Sequence, residues 1–180
     1  MYGRIISVHA GSPGSAADST VFQRMDLFKS PEHYFDPGQY LIADAAYAVS
    51  KYCIPPFKAP ATNLSVNAEF NFYLAQSRVR NEHCIGVLKA RWQSLREMRH
   101  RIQDDSNMEQ LCYWLISCCV LHNIMGSIGD RWEDGRAVLE SQMEPWIASS
   151  QATITGALFR DNLKRVTIET NRAHGYGPMT

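Results

Sequence analysis

Two acidic residues, Asp44 and Glu82, have the sequence surroundings that divalent-metal chemistry requires. Asp44 follows a short apolar run at residues 40–43, and Glu82 lies in a later helical stretch. A carboxylate at the C-terminal end of a buried strand points out of the sheet edge, where ligands of α/β sheets usually bind. Carboxylate oxygens suit Mg²⁺ or Mn²⁺. The pair therefore predicts a metal site with Asp44 and Glu82 as its ligands.

The surroundings of Glu82 are strongly basic. Residues 51–101 contain nine Lys or Arg against three Glu, although the whole chain has 18 basic and 18 acidic residues. Lysine and arginine bind nucleic-acid phosphates and offset the repulsion between carboxylates and DNA. A plainer interpretation stays open, in which Glu82 only forms ion pairs with Arg78 and its neighbours. The side chains that we predict to contact the DNA backbone are Arg78, Arg80, Lys89 and Arg91.

Two upstream aspartates also have structural alternatives. Asp44 is equally suited to a turn in which its carboxylate accepts a hydrogen bond from the amide of Ala46 or Tyr47. Asp18 lies early in a helix predicted over residues 16–28, with Ser15 as its N-cap. Negative charge at that position favours the helix N-terminus, so a metal-binding or catalytic role for Asp18 is no better supported than this structural one.

The remaining elements of the first half follow from hydrophobic patterning. Residues 4–10 are rich in β-branched side chains and predict a strand. Residues 50–62 contain three prolines and predict an extended, exposed segment. A helix capped by Asn67 is expected to lead into the basic helix around Glu82, either directly or at a bend. In the basic helix, the spacing of Ile85, Leu88 and Trp92 predicts a buried stripe.

The second half begins with an apolar helix, predicted over residues 108–125. Residues 110–129 lack Asp, Glu, Lys and Arg, but their polar content favours a buried core helix over a membrane span. Cys118, Cys119 and His122 stand close together there. A zinc site is disfavoured because no second Cys/His pair has zinc-site spacing apart from the isolated His83-Cys84. A Cys nucleophile is disfavoured because apolar burial should make the thiol inert.

The C-terminal part, residues 129–180, is predicted to be a helical extension followed by a flexible tail. A short docked helix is expected over residues 130–146, and another over residues 157–165. The predicted domain boundary is residue 128. The five cysteines show no CxxC spacing, which suits reduced thiols, and the first residues lack the pattern of a secretory signal.

Four sequence blocks, in order, resemble the Harbinger-type transposase-derived DDE nucleases. The blocks are Ala10-Gly-Ser-Pro-Gly-Ser-Ala-Ala-Asp-Ser-Thr-Val-Phe22, Leu41-Ile-Ala-Asp-Ala-Ala-Tyr47, Phe70-Asn71 and Arg78-Val-Arg-Asn-Glu-His-Cys-Ile-Gly-Val-Leu-Lys-Ala-Arg-Trp92. The resemblance covers about residues 4–125 and corresponds to the C-terminal part of the nuclease domain.

The resemblance implies an α/β, RNase H-like fold with a helical C-terminal half, in which three acidic residues bind two divalent metals and cut DNA. Asp44 matches the second catalytic residue and Glu82 the third. In the family the first catalytic Asp lies on a strand that precedes the segment matching residues 4–10. The chain is therefore expected to be an N-terminally truncated nuclease domain, its first strands missing, with little or no DNA cleavage of its own.

The alternative function is non-enzymatic, namely a transposase remnant that acts as a DNA- or protein-binding module. A separate DNA-binding protein as a recruiting partner is left open. The resemblance implies a nuclear location. The roles of Asp18 and of residues 150–180 are not assigned by it.

Overall fold

The structure is a computed structural model that describes residues 3–130 and 156–175. The described residues are mostly helical and include one two-stranded sheet, so the sheet is much smaller than an RNase H-like fold predicts. The helices are α1 (Asp18–Arg24), α2 (Asp26–Lys29), α3 (Ser65–Arg91), α4 (Asp105–Ser127) and α5 (Gly156–Ala173), and the strands are β1 (Leu41–Ile42) and β2 (Cys53–Ile54).

The described chain divides into two compact units. The first comprises residues 3–14 and 79–130, and the second comprises residues 15–78 and 156–175. The boundary falls within α3, after Arg78. The domain boundary predicted at residue 128 and the docked helix predicted over residues 130–146 are not tested, since residues 131–155 lie outside the described part.

In the second unit, the strand predicted before Asp44 is present. β1 pairs in parallel with β2, with Leu41 opposite Cys53, and the amide of Ala43 extends the ladder by donating to the carbonyl of Ile54 at 3.1 Å. The prediction that residues 50–62 are exposed is wrong for Ile54 and Phe57, which are buried. Pro55 and Pro56 end the ladder after two residues because proline donates no amide hydrogen bond.

The core of this unit includes the C-terminal helix. Phe159, Leu163 and Ile168 of α5 are buried together with side chains of β2 and α3. Within the tail predicted to be flexible, residues 156–173 form an 18-residue helix, so the short helix predicted over residues 157–165 is confirmed and extends further. Its apolar residues recur at helical spacing, and their burial in this core stabilises the helix despite the polar composition of the segment.

Polar contacts secure α5 at both ends. The guanidinium of Arg172 donates to both carboxylate oxygens of Glu69, with Nε at 3.1 Å and Nη2 at 2.6 Å. Arg160 lies over the ring of Phe57 at 3.9 Å, and Lys164 donates to Oδ1 of Asn67 at 2.8 Å. A paired guanidinium and carboxylate lose less free energy on burial than either charge alone. The Glu69 carboxylate is accordingly buried in this unit.

Two asparagines of α3 hold the preceding loop. The side-chain amide of Asn71 accepts from the backbone N–H of Phe57 at 2.8 Å and donates to its carbonyl at 2.9 Å. Asn67 donates to the carbonyl of Ala61 at 2.8 Å. Asn67 was predicted as the N-cap, but α3 already begins at Ser65, so Asn67 lies inside the helix and is buried. The helix then runs without a break through Glu82 to Arg91.

The N-terminal part of the second unit contains shorter helices than predicted. Two helices, α1 and α2, replace the single one predicted over residues 16–28, because Met25 adopts an extended conformation between them. Ala17 rather than Ser15 is the N-cap of α1, and it supplies no side-chain hydrogen bond. Asp18 is the first residue of α1, where its charge is favourable against the helix dipole.

The first unit is built on the second half of α3 and on α4. Its core consists of Leu88, Leu95, Cys118 and Cys119, with Trp92 packed beside them. Ile85 was predicted to be buried but is 41 % exposed, since Cys84 and Val87 take the inner face. α4 was predicted to be a buried core helix, yet much of its outer face, including Tyr113 and Trp114, is exposed in the described structure.

Residues 4–10, predicted to be a strand, form no strand in the described structure. Asn123 of α4 instead pairs with the backbone of Ile5, accepting from its N–H at 2.9 Å and donating to its carbonyl at 2.8 Å. A strand needs the backbone of a neighbouring strand, whereas one side-chain amide satisfies one residue only. None of the helices that the structure describes is long and apolar enough to cross a membrane.

Replacement of Phe159 by alanine should destabilise the second unit. Removal of a buried phenylalanine side chain typically costs about 3–5 kcal/mol. Leu158→Ala is the matched control, because Leu158 precedes it on α5 and is 59 % exposed. Urea unfolding followed by circular dichroism measures both. An equal loss of unfolding free energy in the two variants would show that α5 does not pack as described.

Candidate metal and nucleic-acid site

Asp44 lies two residues beyond β1, in a turn that its own side chain stabilises. Its Oδ1 accepts from the backbone N–H of Ala46 at 3.1 Å, which is the turn arrangement considered above. Its Oδ2 accepts from Nη2 of Arg78 at 3.2 Å. The Asp44 side chain is 54 % exposed and that of Arg78 34 % exposed, so the ion pair remains in contact with solvent. Both oxygens of Asp44 therefore have a protein donor.

Tyr47 connects the surroundings of Asp44 with those of Asp18. Its ring packs edge-on against Phe22 of α1 at a centroid distance of 5.3 Å. Burial raises the pKa of the Tyr47 hydroxyl, the charges of Asp18 and Asp44 raise it further, and Arg78 opposes them. Two carboxylates and one guanidinium thus act on the same tyrosine. The turn after β1 is therefore acidic, and Arg78 of α3 supplies the positive charge beside it.

Glu82 differs from Asp44 in having no internal donor. The residue is exposed on α3, one turn after Arg78. Among the residues that the structure describes, its carboxylate takes part in no hydrogen bond or ion pair. Arg78, the partner considered for it above, pairs with Asp44 instead. Glu82 and Asp44 belong to different compact units, and their pairing around one metal stays a prediction.

The four basic residues predicted to bind DNA have different environments. Arg80 and Lys89 are exposed, and Arg78 is engaged with Asp44. The Arg91 side chain is only 7 % exposed, and its Nη2 donates to the carbonyl of Asp130 at 3.1 Å and lies 3.5 Å from its carboxylate. Buried charges require such partners. Arg91 is thus part of the first unit's interior, while Arg80 and Lys89 face solvent.

The donor chemistry suits a hard divalent cation, but the ligand set is incomplete. Carboxylate oxygens are the ligands that Mg²⁺ takes, and Asp44 and Glu82 supply them. Within residues 3–130 and 156–175, no group of three or more His, Cys, Asp or Glu side chains is placed to hold a metal ion. Arg78 and the Ala46 amide occupy the oxygens of Asp44. The described residues therefore do not form a divalent-metal site as they stand.

A cysteine and a histidine meet elsewhere, in the first unit. Sγ of Cys84 lies 3.7 Å from Nε2 of His122 and donates to the carbonyl of Gly3 at 3.2 Å. The sequence had shown these residues only as parts of separate pairs. Burial raises the pKa of the Cys84 thiol, with a further contribution from Cys119, so the thiolate that nucleophilic attack requires is disfavoured. The contact is part of the packing between α3 and α4.

Sequence reasoning missed the structural roles of Asn71, Asn123 and Glu69. Asn71 and Asn123 each hold one loop residue by both backbone groups. A signal was available, because asparagine is unfavourable in helix interiors and usually hydrogen-bonds to backbone instead. Glu69 gave a comparable signal as a charged residue on the apolar face of α3, where only a paired carboxylate is stable.

Comparison with known proteins identifies the family. The model of the DDE superfamily endonucleases matches residues 2–123. No solved structure matches.

Curated relatives agree with that match. The chain is 27 % identical over 124 residues to the mouse protein named "Putative nuclease HARBI1", and 26 % identical to its human counterpart; each match covers 68 % of this chain and 34 % of the relative. An Arabidopsis thaliana protein named "Protein ALP1-like" is 22 % identical over 144 residues, covering 73 % of this chain and 34 % of that protein.

The chain spans about a third of the length of the curated relatives that it matches. The family match covers the extended N-terminal segment, the turn with Asp44, the whole of α3 with Glu82 and most of α4. The predicted resemblance is thereby confirmed, and the chain belongs to the DDE superfamily endonuclease family.

Proposed function

We propose that this chain is a nuclease-derived domain that contributes Asp44 and Glu82 to a divalent-metal site acting on DNA. Endonucleases of this superfamily typically use divalent metals, which supports assigning the two carboxylates to Mg²⁺ or Mn²⁺. The observation that carries the proposal is the position of Glu82. The Glu82 carboxylate is exposed, has no hydrogen-bond or ion-pair partner among the described residues, and lies on the same helix as the solvent-facing Arg80 and Lys89.

The geometry of Asp44 adds independent support. Its position just beyond a parallel strand is where ligands of α/β sheets usually bind. The pairing of Asp44 with Glu82 rests on the family match, because the two residues lie in separate units. The nuclear location expected from the family remains a prediction.

We further propose that the chain alone does not cut DNA. Phosphodiester hydrolysis by two metals needs a carboxylate set that holds both ions, and the described residues present no group of three. The domain then binds nucleic acid without cleaving it, which agrees with the non-enzymatic alternative for this chain. Arg80 and Lys89 would carry that binding, while Arg91 is buried and would not.

Supercoiled plasmid should remain intact when incubated with the pure chain and Mg²⁺ or Mn²⁺. Conversion to the nicked form is measured on agarose gels, beside Glu82→Gln and the control Glu97→Gln, which removes another exposed glutamate of the basic stretch. The same low level of nicking is expected for the unchanged chain and for both variants. Metal-dependent nicking that Glu82→Gln abolishes and Glu97→Gln preserves would overturn the inactivity and would establish the chain as an enzyme.

Binding of duplex DNA should be weak and steeply dependent on salt. Each phosphate contact contributes about 0.9 to the negative slope of log affinity against log salt concentration. The double variant Arg80→Gln/Lys89→Gln should therefore lower that slope by roughly two, as measured by fluorescence anisotropy between about 50 and 200 mM salt. Arg165→Gln is the control, since Arg165 is an exposed arginine of α5. Affinity that does not change with salt would contradict a DNA-binding role.

A further inference from the structure

A cavity of about 330 Å³ lies in the first unit, next to the end of α3. Its volume falls within the range of roughly 300–1,000 Å³ that small-molecule sites span. The lining includes Arg4 of the N-terminal segment, Arg91 of α3, His122 and Gly126 of α4, and Asp130. The charged side chains in that lining are two arginines and one aspartate, so the cavity favours an anion over a cation.

Gly126 shows that the cavity is open beside α4. It lies one turn after the buried His122, on the same face of the helix, yet it is exposed. A Cβ atom at this position would have no heavy atom within 4 Å, apart from the backbone of its own helix turn. The inner face of α4 therefore leaves unfilled space at Gly126.

Arg91 brings a buried charge to this cavity, and its protein partners satisfy that charge only in part. The side chain is 7 % exposed, and Nη2 donates to the carbonyl of Asp130 at 3.1 Å. Nε and Nη1 are buried and have no hydrogen-bond partner in the described structure. These two nitrogens carry three of the five N–H donors of a guanidinium. A buried group with so many unmade hydrogen bonds points to an acceptor from outside the chain.

His122 adds an unused acceptor to the same lining. Its Nε2 lies 3.3 Å from the carbonyl oxygen of Gly3, and its Nδ1 is buried with no partner in the part of the chain that the structure describes. A carbonyl oxygen only accepts, so the hydrogen of the neutral ring lies on Nε2 and leaves Nδ1 as an acceptor. The lining thus offers N–H donors from Arg91 and one nitrogen acceptor from His122.

We propose that this cavity binds a small phosphate-bearing anion, whose oxygens accept from Arg91 and whose O–H donates to Nδ1 of His122. Hydrogen phosphate and phosphate monoesters carry both kinds of group, and arginine is the usual partner of phosphate oxygens. The inference goes beyond the proposed function, because Asp44 and Glu82 take no part in it. Binding is non-covalent and changes no bond in the ligand.

Inorganic phosphate is the probe that tests this site. It is titrated into the ¹⁵N-labelled full chain at constant ionic strength set by sodium chloride, and amide shifts of residues 123–127 and the Nε–H resonance of Arg91 are followed. Both should move to a plateau with one common midpoint. Sulfate has the same shape but no O–H at neutral pH, so its midpoint should be about three- to tenfold higher. Methyl phosphate separates a monoester ligand from free phosphate.

Two variants remove the site in different ways. Arg91→Lys keeps the charge but loses the guanidinium donors, and it should raise the phosphate midpoint about tenfold. Gly126→Leu keeps Arg91 and fills the open space, which should raise the midpoint by a similar factor. Arg99→Lys is the matched control, because Arg99 is an exposed arginine of the same unit, and its midpoint should stay within about twofold of the unchanged chain.

Amide spectra recorded without phosphate show whether each variant is folded, and Gly126→Leu decides the question if Arg91→Lys does not fold. Shifts that grow linearly with phosphate, or a midpoint that a folded Gly126→Leu leaves unchanged, would overturn the proposal. Equal midpoints for phosphate and sulfate would contradict the contact with His122. An unmoved Arg91 Nε–H resonance would show that water alone occupies the cavity.

Discussion

The burial of α3 in two separate cores is the constraint on which the candidate site depends. Its first half places Phe70, Tyr73 and Leu74 in the core of one unit, and its second half places Leu88 in the core of the other. In each unit, those contacts fix which face of that half of the helix is buried. The faces that remain hold Arg78, directed to Asp44, and the exposed Glu82. The directions in which Arg78 and Glu82 leave the helix thus follow from the face that each core buries.

Side-chain amides provide the second organising device. Asn71 and Asn123, on α3 and α4, each pair with both backbone groups of a residue in an extended segment. A buried backbone group without a partner is costly, so these amides substitute for a neighbouring strand where none is described. The loop that follows β2 and the N-terminal segment are held against helices in this way. The loop after β2 precedes the Phe70-Asn71 block, and the segment around Ile5 precedes the block that begins at Ala10.

The helices and the turn at Asp44 could be predicted because their signals are local. The hydrophobic patterns of α3 and α4 and the apolar run before Asp44 are readable from neighbouring residues. The structure that could not be predicted depends on residues distant in the sequence. Residues 4–10 have strand propensity but no strand beside them in the described structure. α5 extends beyond the helix predicted over residues 157–165 because Phe159, Leu163 and Ile168 reach a core that β2 and α3 provide. The pairing of Arg78 with Asp44 rather than Glu82 likewise joins residues that are 34 positions apart.

The two carboxylates show how far each kind of reasoning extends. The sequence blocks predict Asp44 and Glu82 as metal ligands, and the structure adds that Asp44 is paired with Arg78 while Glu82 is exposed to solvent. The most direct test is the anomalous scattering of Mn²⁺ in crystals of the chain. The proposed function predicts a peak about 2.1 Å from carboxylate oxygens of Asp44 and Glu82. Manganese bound elsewhere, with the Asp44–Arg78 pair intact and Glu82 without metal, would contradict the assignment.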